Sequence, residues 1–397
     1  MSAEHSDILL PPYVERVLER LERAGHEVYL VGGSLRDSLL GLDPHDFDLA
    51  TSARPEQTAA LFSDSRVIET GMKHGTVTVL SDRNPIEITT FRIDGSYTDA
   101  RHPDSVTFTD RITDDLSRRD FTVNAMAYNP RLGLVDPFGG RTDLAAKRLR
   151  AVGEPCQRFG EDALRILRAF RFAAQLNFSI EEQTLAGVAV CREGLAQIAR
   201  ERIAAELLRL VLSDSPAPAL RQMRDGGILP YVLGDYAPEE LILNRLSDMP
   251  RVDVARLGFL LSDTDREHAA RLLRSLKYSN KQVTGAGAVV DGSKLCVTSP
   301  AEARRMIASC GIYAPFAVHA SVLRGNSPAE AIAWVEQNSA ACTLSDLALS
   351  GRDLLAAGFE GKQVGRMLEL LLSEVLEHPE LNEKERLLTL ALEKKKR

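Results

Sequence analysis

At 397 residues, with 44% hydrophobic and 26% charged, the chain has globular composition and length for roughly two to three domains. No apolar run reaches the ~18 residues of a membrane span, and Met1-Ser2-Ala3-Glu4 carries no basic stretch ahead of an apolar one. A formal charge of −7 excludes a chain basic throughout but permits a local basic stripe for phosphates. No secretory leader and no membrane partner are therefore expected, and the location implied is cytoplasmic. The five cysteines (Cys156, Cys191, Cys296, Cys310, Cys342) are odd in number, widely spaced and without a C-x-x-C pair. Reduced thiols fit that pattern better than a zinc ribbon or a disulfide framework.

In chain order, a helical period covers 12–24 and a β-type run 27–31. A second strand is expected at 46–50 and a helix at 55–62. Two further strands follow at 76–80 and 85–91, with Gly71, Gly75 and Asn84-Pro85 as turn residues. This predicts an α+β head with a small mixed or antiparallel sheet. After Arg150 strand signals almost vanish, and helical periods cover 161–176, 198–212, 301–310, 328–336 and 363–377. Pro and Gly breaks fall at 215–218, 226–227 and 299–300, so the remainder reads as all-helical sub-bundles. The basic end Lys394-Lys395-Lys396-Arg397 reads as a solvated terminus.

Four groups of residues carry chemistry. Gly32-Gly33-Ser34-Leu35-Arg36-Asp37 follows a strand and opens a helix, where exposed N–H groups attract phosphate and Arg36 adds fixed charge. The spacing is neither a Walker A loop nor a dinucleotide fingerprint. Asp46-Phe47-Asp48 on a strand puts two carboxylates on one face, a costly arrangement unless a cation neutralises them, and hard oxygen donors suit Mg²⁺. Glu87, in an apolar and Thr-rich strand, is a candidate third carboxylate; the alternatives are a satisfied edge charge or a partner for Arg36 or Arg92.

Asp115-Leu116-Ser117-Arg118-Arg119-Asp120 pairs arginines with acids, suited to phosphates and a ribose, though a surface ion pair at a helix cap has the same composition. Finally, Asp162, Arg165, Arg168 and Arg171 recur every third residue, which predicts a polar ridge on one helix that starts with an acid–arginine pair able to read a base edge. A solvated charged face is the plain alternative.

Taken together and in order, Gly32 to Asp37, Asp46-Phe47-Asp48, Arg118-Arg119-Asp120-Phe121 and Glu161-Asp162-Ala163-Leu164-Arg165 resemble the class II CCA-adding tRNA nucleotidyltransferases and the related bacterial poly(A) polymerases. The motif match covers roughly 28–175. The stretch 91–118 is similar to the family's flexible loop, and Leu349 to Leu355 with Gly358, Gly361 and Gly365 to its tail.

The resemblance implies a polymerase-β-like nucleotidyltransferase head (1–145), then an all-helical neck (146–212), body (213–330) and tail (331–397), body and tail binding tRNA. It implies Mg²⁺ on Asp46 and Asp48, with Glu87 a catalytic candidate. Gly32, Gly33, Arg36, Arg119, Asp120, Asp162, Arg165, Arg168 and Arg171 would bind the nucleotide, Asp120 near the ribose. The partners implied are tRNA, ATP and CTP, and a homodimer is left open.

Cytosine and adenine both offer an amino donor beside a ring-nitrogen acceptor, whereas uracil and guanine offer the reverse. An ionised Asp162 only accepts and Arg165 only donates, so the pair would admit C and A. A poly(A) polymerase shares the same head, a CC-only or A-only enzyme would differ in the flexible loop, and a small-molecule nucleotidyltransferase would share the Asp-x-Asp but not need the long helical remainder. A non-catalytic RNA-binding module would have no use for paired carboxylates. His45-Asp46 resembles an HD phosphohydrolase dipeptide, but no matching His-Asp set accompanies it. Arg200, Arg202, Arg209, Lys277, Lys281 and Lys294 are candidate tRNA contacts.

Overall fold

The computed structural model describes residues 8–44, 46–95, 105–337 and 343–395. The chain divides into two compact units. One comprises Met1–Glu206 with Gln222–Tyr231, the other Leu207–Arg221 with Val232–Arg397.

The first unit is built on a seven-stranded mixed sheet. Its spatial order is Val67–Ile68, Thr76–Ser81, Asn84–Thr90, Phe47–Thr51, Val28–Val31, Ala127–Asn129 and Gly133–Val135. All four residues of the interior strand Val28–Val31 are buried, as a strand covered on both faces requires. Helix Pro12–Arg23 begins with Pro at its first turn and buries the stripe Val14, Val17, Leu18 and Leu21. Tyr29, Val31, Ala50, Phe91, Ile112, Leu116, Ala127 and Val152 form a core cluster of this unit.

The four expected strands and first two helices are present to within a residue or two. Val67–Ile68, Ala127–Asn129 and Gly133–Val135 went unpredicted, because two or three residues give too little alternation to stand out. The stretch after Arg150 is mainly helical, yet Ser179–Ile180 pairs in parallel with Arg148–Leu149.

One correction bears on the site. The helix expected over 161–176 is two helices, Pro155–Glu161 and Leu164–Leu176. Asp162 between them is extended, with φ −147° and ψ 102°. Its carboxylate accepts from the Leu164 N–H at 3.0 Å, a local side-chain bond that competes with the helical ladder. The second helix ends at Asn177 in the left-handed region, with φ 53°.

The second unit is helical. Helix Asn280–Gly292 is capped by Ser279 and Gln282 in a reciprocal box and packs against Asp253–Leu260. Met306, Cys310, Ala314, Ala317, Val318, Ala331 and Val335 fill one core cluster. Leu349, Leu354, Phe359, Leu371, Val375 and Leu387 fill another under the last helices. One 24-residue helical run, Pro300–Leu323, reaches the length and apolar composition of a bilayer span, as the core helix of a globular protein also can. It joins Pro300–Cys310 and Ala314–Leu323 through a 3₁₀ turn, and its apolar residues supply the first of these clusters. Cys156, Cys191, Cys296 and Cys310 are free; Cys342 lies outside the described residues.

Close helix approach makes a stability prediction. A Cβ on Gly258 would lie 2.6 Å from Val289 Cβ and 2.8 Å from the Ala286 carbonyl oxygen, whereas one on Gly365 would meet nothing within 4 Å. Gly258→Ala should cost about 1–3 kcal/mol by overpacking. Gly365→Ala, in helix Lys362–Glu377, should gain about 0.5–1 kcal/mol by lowering unfolded-state entropy. Calorimetric unfolding of both variants checks this; equal transition temperatures would contradict the packing described.

Candidate active site

The site is assembled at one end of the central strands. Val31 is extended, and the chain turns directly into helix Gly32–Leu39. Gly32 has φ +72°, which favours glycine. A Cβ there would lie 3.1 Å from Arg119 Nη1 and 3.7 Å from Asp48 Oδ2. Three motifs distant in sequence therefore meet at this backbone turn. The Ser34 hydroxyl donates to the Val31 carbonyl at 3.0 Å and caps the same corner.

Asp48 lies opposite Val31 on one side and, in parallel register, opposite Glu87 on the other. Asp46 immediately precedes the strand and is exposed, Phe47 is buried, and Asp48 is half-buried. Burial, reinforced by the like charge of Glu87 and then of Asp46 against the opposing Arg119, pushes the Asp48 carboxyl up to about 6. Glu87 is exposed and no ion pair is recorded for it among the described residues; Arg36 pairs with Asp37, and Arg92 with Asp94.

Among the described residues no group of three metal-ligating side chains is gathered tightly enough to cage an ion. The donor set still fits a hard cation of the magnesium type. Such an ion takes one or two carboxylates and completes its shell with water and phosphate. It would relieve the crowded negative charge that raises Asp48.

Asp120 is buried and accepts from Arg168 Nε at 2.7 Å and Nη2 at 2.6 Å, Asn124 Nδ2 at 3.1 Å and the Phe121 N–H at 2.8 Å. Burial alone would favour its neutral form, but Arg168 and Asn124 hold the carboxyl well below the usual range. Asn124 Oδ1 in turn accepts from Arg36 Nη1 at 2.8 Å. A continuous chain Arg168–Asp120–Asn124–Arg36 thus links the arginine helix Leu164–Leu176 to the Gly-Gly helix. Beside it, fully buried Asp115 accepts from Arg118 at 2.7 Å and Arg119 at 3.2 Å.

The expected four-residue ridge is not one surface. Asp162 precedes the helix and pairs with Arg202 at 2.7 Å. Arg165 donates to Glu161 at 2.6 Å and to the Arg118 carbonyl at 3.0 Å. Arg168 turns to Asp120, and Arg171, buried, bonds Glu206 and Gln175. A three-residue spacing of charges does not show which neighbour each will choose.

Asn124 and Phe172 were missed from sequence. Phe172 has the Cζ atoms of Arg171, Arg36 and Arg168 at 3.8, 5.1 and 5.3 Å from its ring centroid. A buried amide in the apolar stretch Phe121–Met126 was the one available signal for Asn124.

Of the expected tRNA contacts, Arg200 donates to the Tyr231 carbonyl at 2.7 Å, Arg202 to Asp162, and Lys294 to the Thr264 carbonyl, while Lys277 and Lys281 are exposed. His45 and residues 96–104 of the loop resemblance lie outside the described residues. The described ends of that loop pair as Arg92–Asp94 and Val106–Phe108.

Comparison with known proteins identifies relatives of the chain. Residues 28–150 match the poly A polymerase head domain, and 177–239 the probable RNA and SrmB-binding site of polymerase A. The CCA-adding enzyme of Levilactobacillus brevis is 37% identical over 378 residues, spanning 93% of this chain and 94% of that one. That of Limosilactobacillus fermentum is 37% identical over 386 residues, spanning 94% and 95%. The crystal structure of the Bacillus stearothermophilus CCA-adding enzyme in complex with CTP superposes with a TM-score of 0.83 at 31% identity, covering 98% of each chain. With a nucleotidyltransferase head carrying these motifs and relatives of this similarity along nearly its whole length, the chain belongs to the family of CCA-adding enzymes.

Proposed function

We propose that the chain adds C, C and A to the 3′ end of tRNA from CTP and ATP, without a nucleic-acid template and with release of pyrophosphate. The observation that carries this reading is the meeting of the Gly32 turn, Asp48 and Arg119 at one point, in a chain of this family. The Bacillus relative is described with CTP and a Thermotoga maritima CCA-adding enzyme with tRNA, which supports the choice of substrates. Residues 1–145 would carry the chemistry, 146–212 the base selection, and 213–330 and 331–397 the grip on tRNA.

Asp46 and Asp48 would hold Mg²⁺, with Glu87 alongside, and the bound ions would lower the pKa of the RNA 3′-hydroxyl and offset charge on the triphosphate and leaving pyrophosphate. The residues of the chain do the rest. The backbone N–H groups at Gly32-Gly33 and the guanidinium of Arg119 face the phosphates. Arg36 and Arg168 add positive charge, and Asp120 fixes both while lying toward the ribose. In-line attack on the α-phosphate then needs orientation more than general-base catalysis.

Base choice falls to Asp162 and Arg165. Asp162 Oδ1 takes the Leu164 N–H and Arg202 Nη1 at 3.4 Å, and Oδ2 takes Arg202 Nη2. One lone pair of Oδ2 is left to accept the amino group of C or A. Arg165 would turn part of its fork from Glu161 to the ring nitrogen. Uracil or guanine would set a carbonyl against Asp162 and an N–H against Arg165. Two such mispaired polar contacts, at about 1–3 kcal/mol each and more when charged, give discrimination on the order of 10³.

Incubating the enzyme with tRNA lacking its 3′ end and each triphosphate in turn, then sequencing the product, tests the reading. CCA from CTP plus ATP is expected. CC alone, A alone or a long A tail would assign one of the neighbouring activities. In the same assay Asp162→Ala with Arg165→Ala should lower CTP and ATP use and shrink the CTP-over-UTP ratio of kcat/KM. An unchanged ratio places base selection elsewhere.

A separate expectation concerns the carboxylates. Asp46→Ala or Asp48→Ala should reduce turnover by about 10³-fold or more, as loss of transition-state electrostatics does, with tRNA affinity near normal. Turnover above about a tenth of the parent value would be too high for loss of a group acting in the transition state, and would remove these residues from the chemistry.

A further inference from the structure

We propose that Phe172 is a positioning residue, whose ring gathers the guanidiniums of Arg36, Arg168 and Arg171 into one arrangement that receives a triphosphate, held in place before any nucleotide arrives. The inference rests on the reading above that Arg36 and Arg168 face the nucleotide.

Three guanidiniums converge on this side chain, at 3.8, 5.1 and 5.3 Å from its centroid. They come from two separate elements, the Gly-Gly helix and the arginine helix. Each has its own carboxylate: Asp37 for Arg36, Asp120 for Arg168 and Glu206 for Arg171. The acids also act across the set, Glu206 on Arg168 and Asp120 on Arg171. The ring centroid lies within 5.3 Å of all three Cζ atoms.

An aromatic ring presents negative charge on its faces, so it attracts cations that would otherwise repel one another. An aliphatic side chain of similar volume would fill the space without that attraction. Phe172 is 6% exposed. Phe121 meets it edge to face at 6.0 Å, which fixes the ring from within the core. Phe121 also follows Asp120 and donates its N–H to that carboxylate. The ring therefore lies beside the same turn that orders Arg168 and, through Asn124, Arg36.

The cluster keeps capacity for a ligand. Arg168 commits Nε and Nη2 to Asp120, and no bond of Nη1 is recorded among the described residues. Burial lowers the pKa of Arg171, with Glu206 opposing the fall and Arg168 adding to it, while Asp120 and Glu206 raise that of Arg168. A phosphate oxygen is the ligand chemistry that suits the remaining N–H groups of Arg168 Nη1. Because none of its ring contacts among the described residues is with Asp162 or Arg165, its effect should be the same for CTP and ATP.

The test replaces Phe172 with mono-, di- and trifluorophenylalanine in the full-length enzyme. This series keeps the ring's shape while draining charge from its faces. The readouts are inhibition of nucleotide addition by tripolyphosphate and KM for CTP and for ATP. Stepwise weakening is expected, reaching about ten-fold in the inhibition constant at three fluorines. KM should rise for both nucleotides together, with their ratio unchanged and thermal stability nearly constant.

A flat series would overturn the proposal. Arg36→Met serves as the control for the underlying reading. If it weakens tripolyphosphate inhibition while the fluorinated series stays flat, Phe172 only fills space. If it leaves inhibition unchanged, the phosphate-facing role of Arg36 is wrong and the proposal falls with it.

Discussion

The buried carboxylate of Asp120 is the constraint on which the rest of the site depends. Taking a charge out of water is unfavourable unless it is paired and its lone pairs are filled. Arg168, Asn124 and the Phe121 N–H meet that demand completely. Removing one partner of such a buried pair typically costs about 3–5 kcal/mol, because the other charge is left unsatisfied. The consequence is geometric as well as energetic. Arg168 can sit in one place, and Asn124, held by Asp120, has its Oδ1 turned to Arg36. A helix from one part of the sequence is thereby registered against a helix opened by Gly32 more than a hundred residues earlier.

The turn that carries Asp120 is itself held from behind. Thr122 donates its hydroxyl to Asp143 at 2.7 Å, and Asp143, wholly buried, is clasped by Arg148 and Arg150. The Thr122 N–H donates to the Arg150 carbonyl at 2.9 Å, and a Cβ on Gly140 would fall 2.2 Å from the Thr122 carbonyl oxygen. Two buried carboxylates, two residues apart in their attachment points, therefore fix the 120–124 turn on both sides. A site built this way has little freedom to drift, which suits a reaction governed by orientation and electrostatics. The crowded charge at Asp48 and Glu87 is the complementary feature, offset only in part by Arg119 and hence receptive to a cation.

Much of this was legible in the amino-acid sequence. The strands at 28–31, 47–51, 76–81 and 84–90 declare themselves as short apolar and β-branched runs between turn residues, and the motifs around Gly32, Asp46, Arg119 and Asp162 carry the family resemblance. What escaped did so for local physical reasons. Strands of two or three residues lack a measurable period. The helix break at Asp162 is set by one side-chain bond to a backbone N–H, and the arginine spacing around it looks continuous in one dimension. The partners of Arg165, Arg171 and Asp162, namely Glu161, Glu206 and Arg202, are choices among several nearby acids and bases that only three-dimensional packing decides. Asn124 and Phe172 carry no motif of their own; their roles come entirely from what surrounds them.

The most direct test of this account is a double-mutant cycle on Asp120 and Arg168. Asp120→Asn, Arg168→Met and the pair together would be compared by kcat/KM for CTP with a tRNA lacking its 3′ end. If one buried pair registers the two helices, the losses overlap: the double variant should be little worse than the poorer single one, with a coupling energy of about 1–3 kcal/mol. Losses that simply add, with coupling below about 0.5 kcal/mol, would mean that Asp120 and Arg168 act independently and that the site is organised by something else.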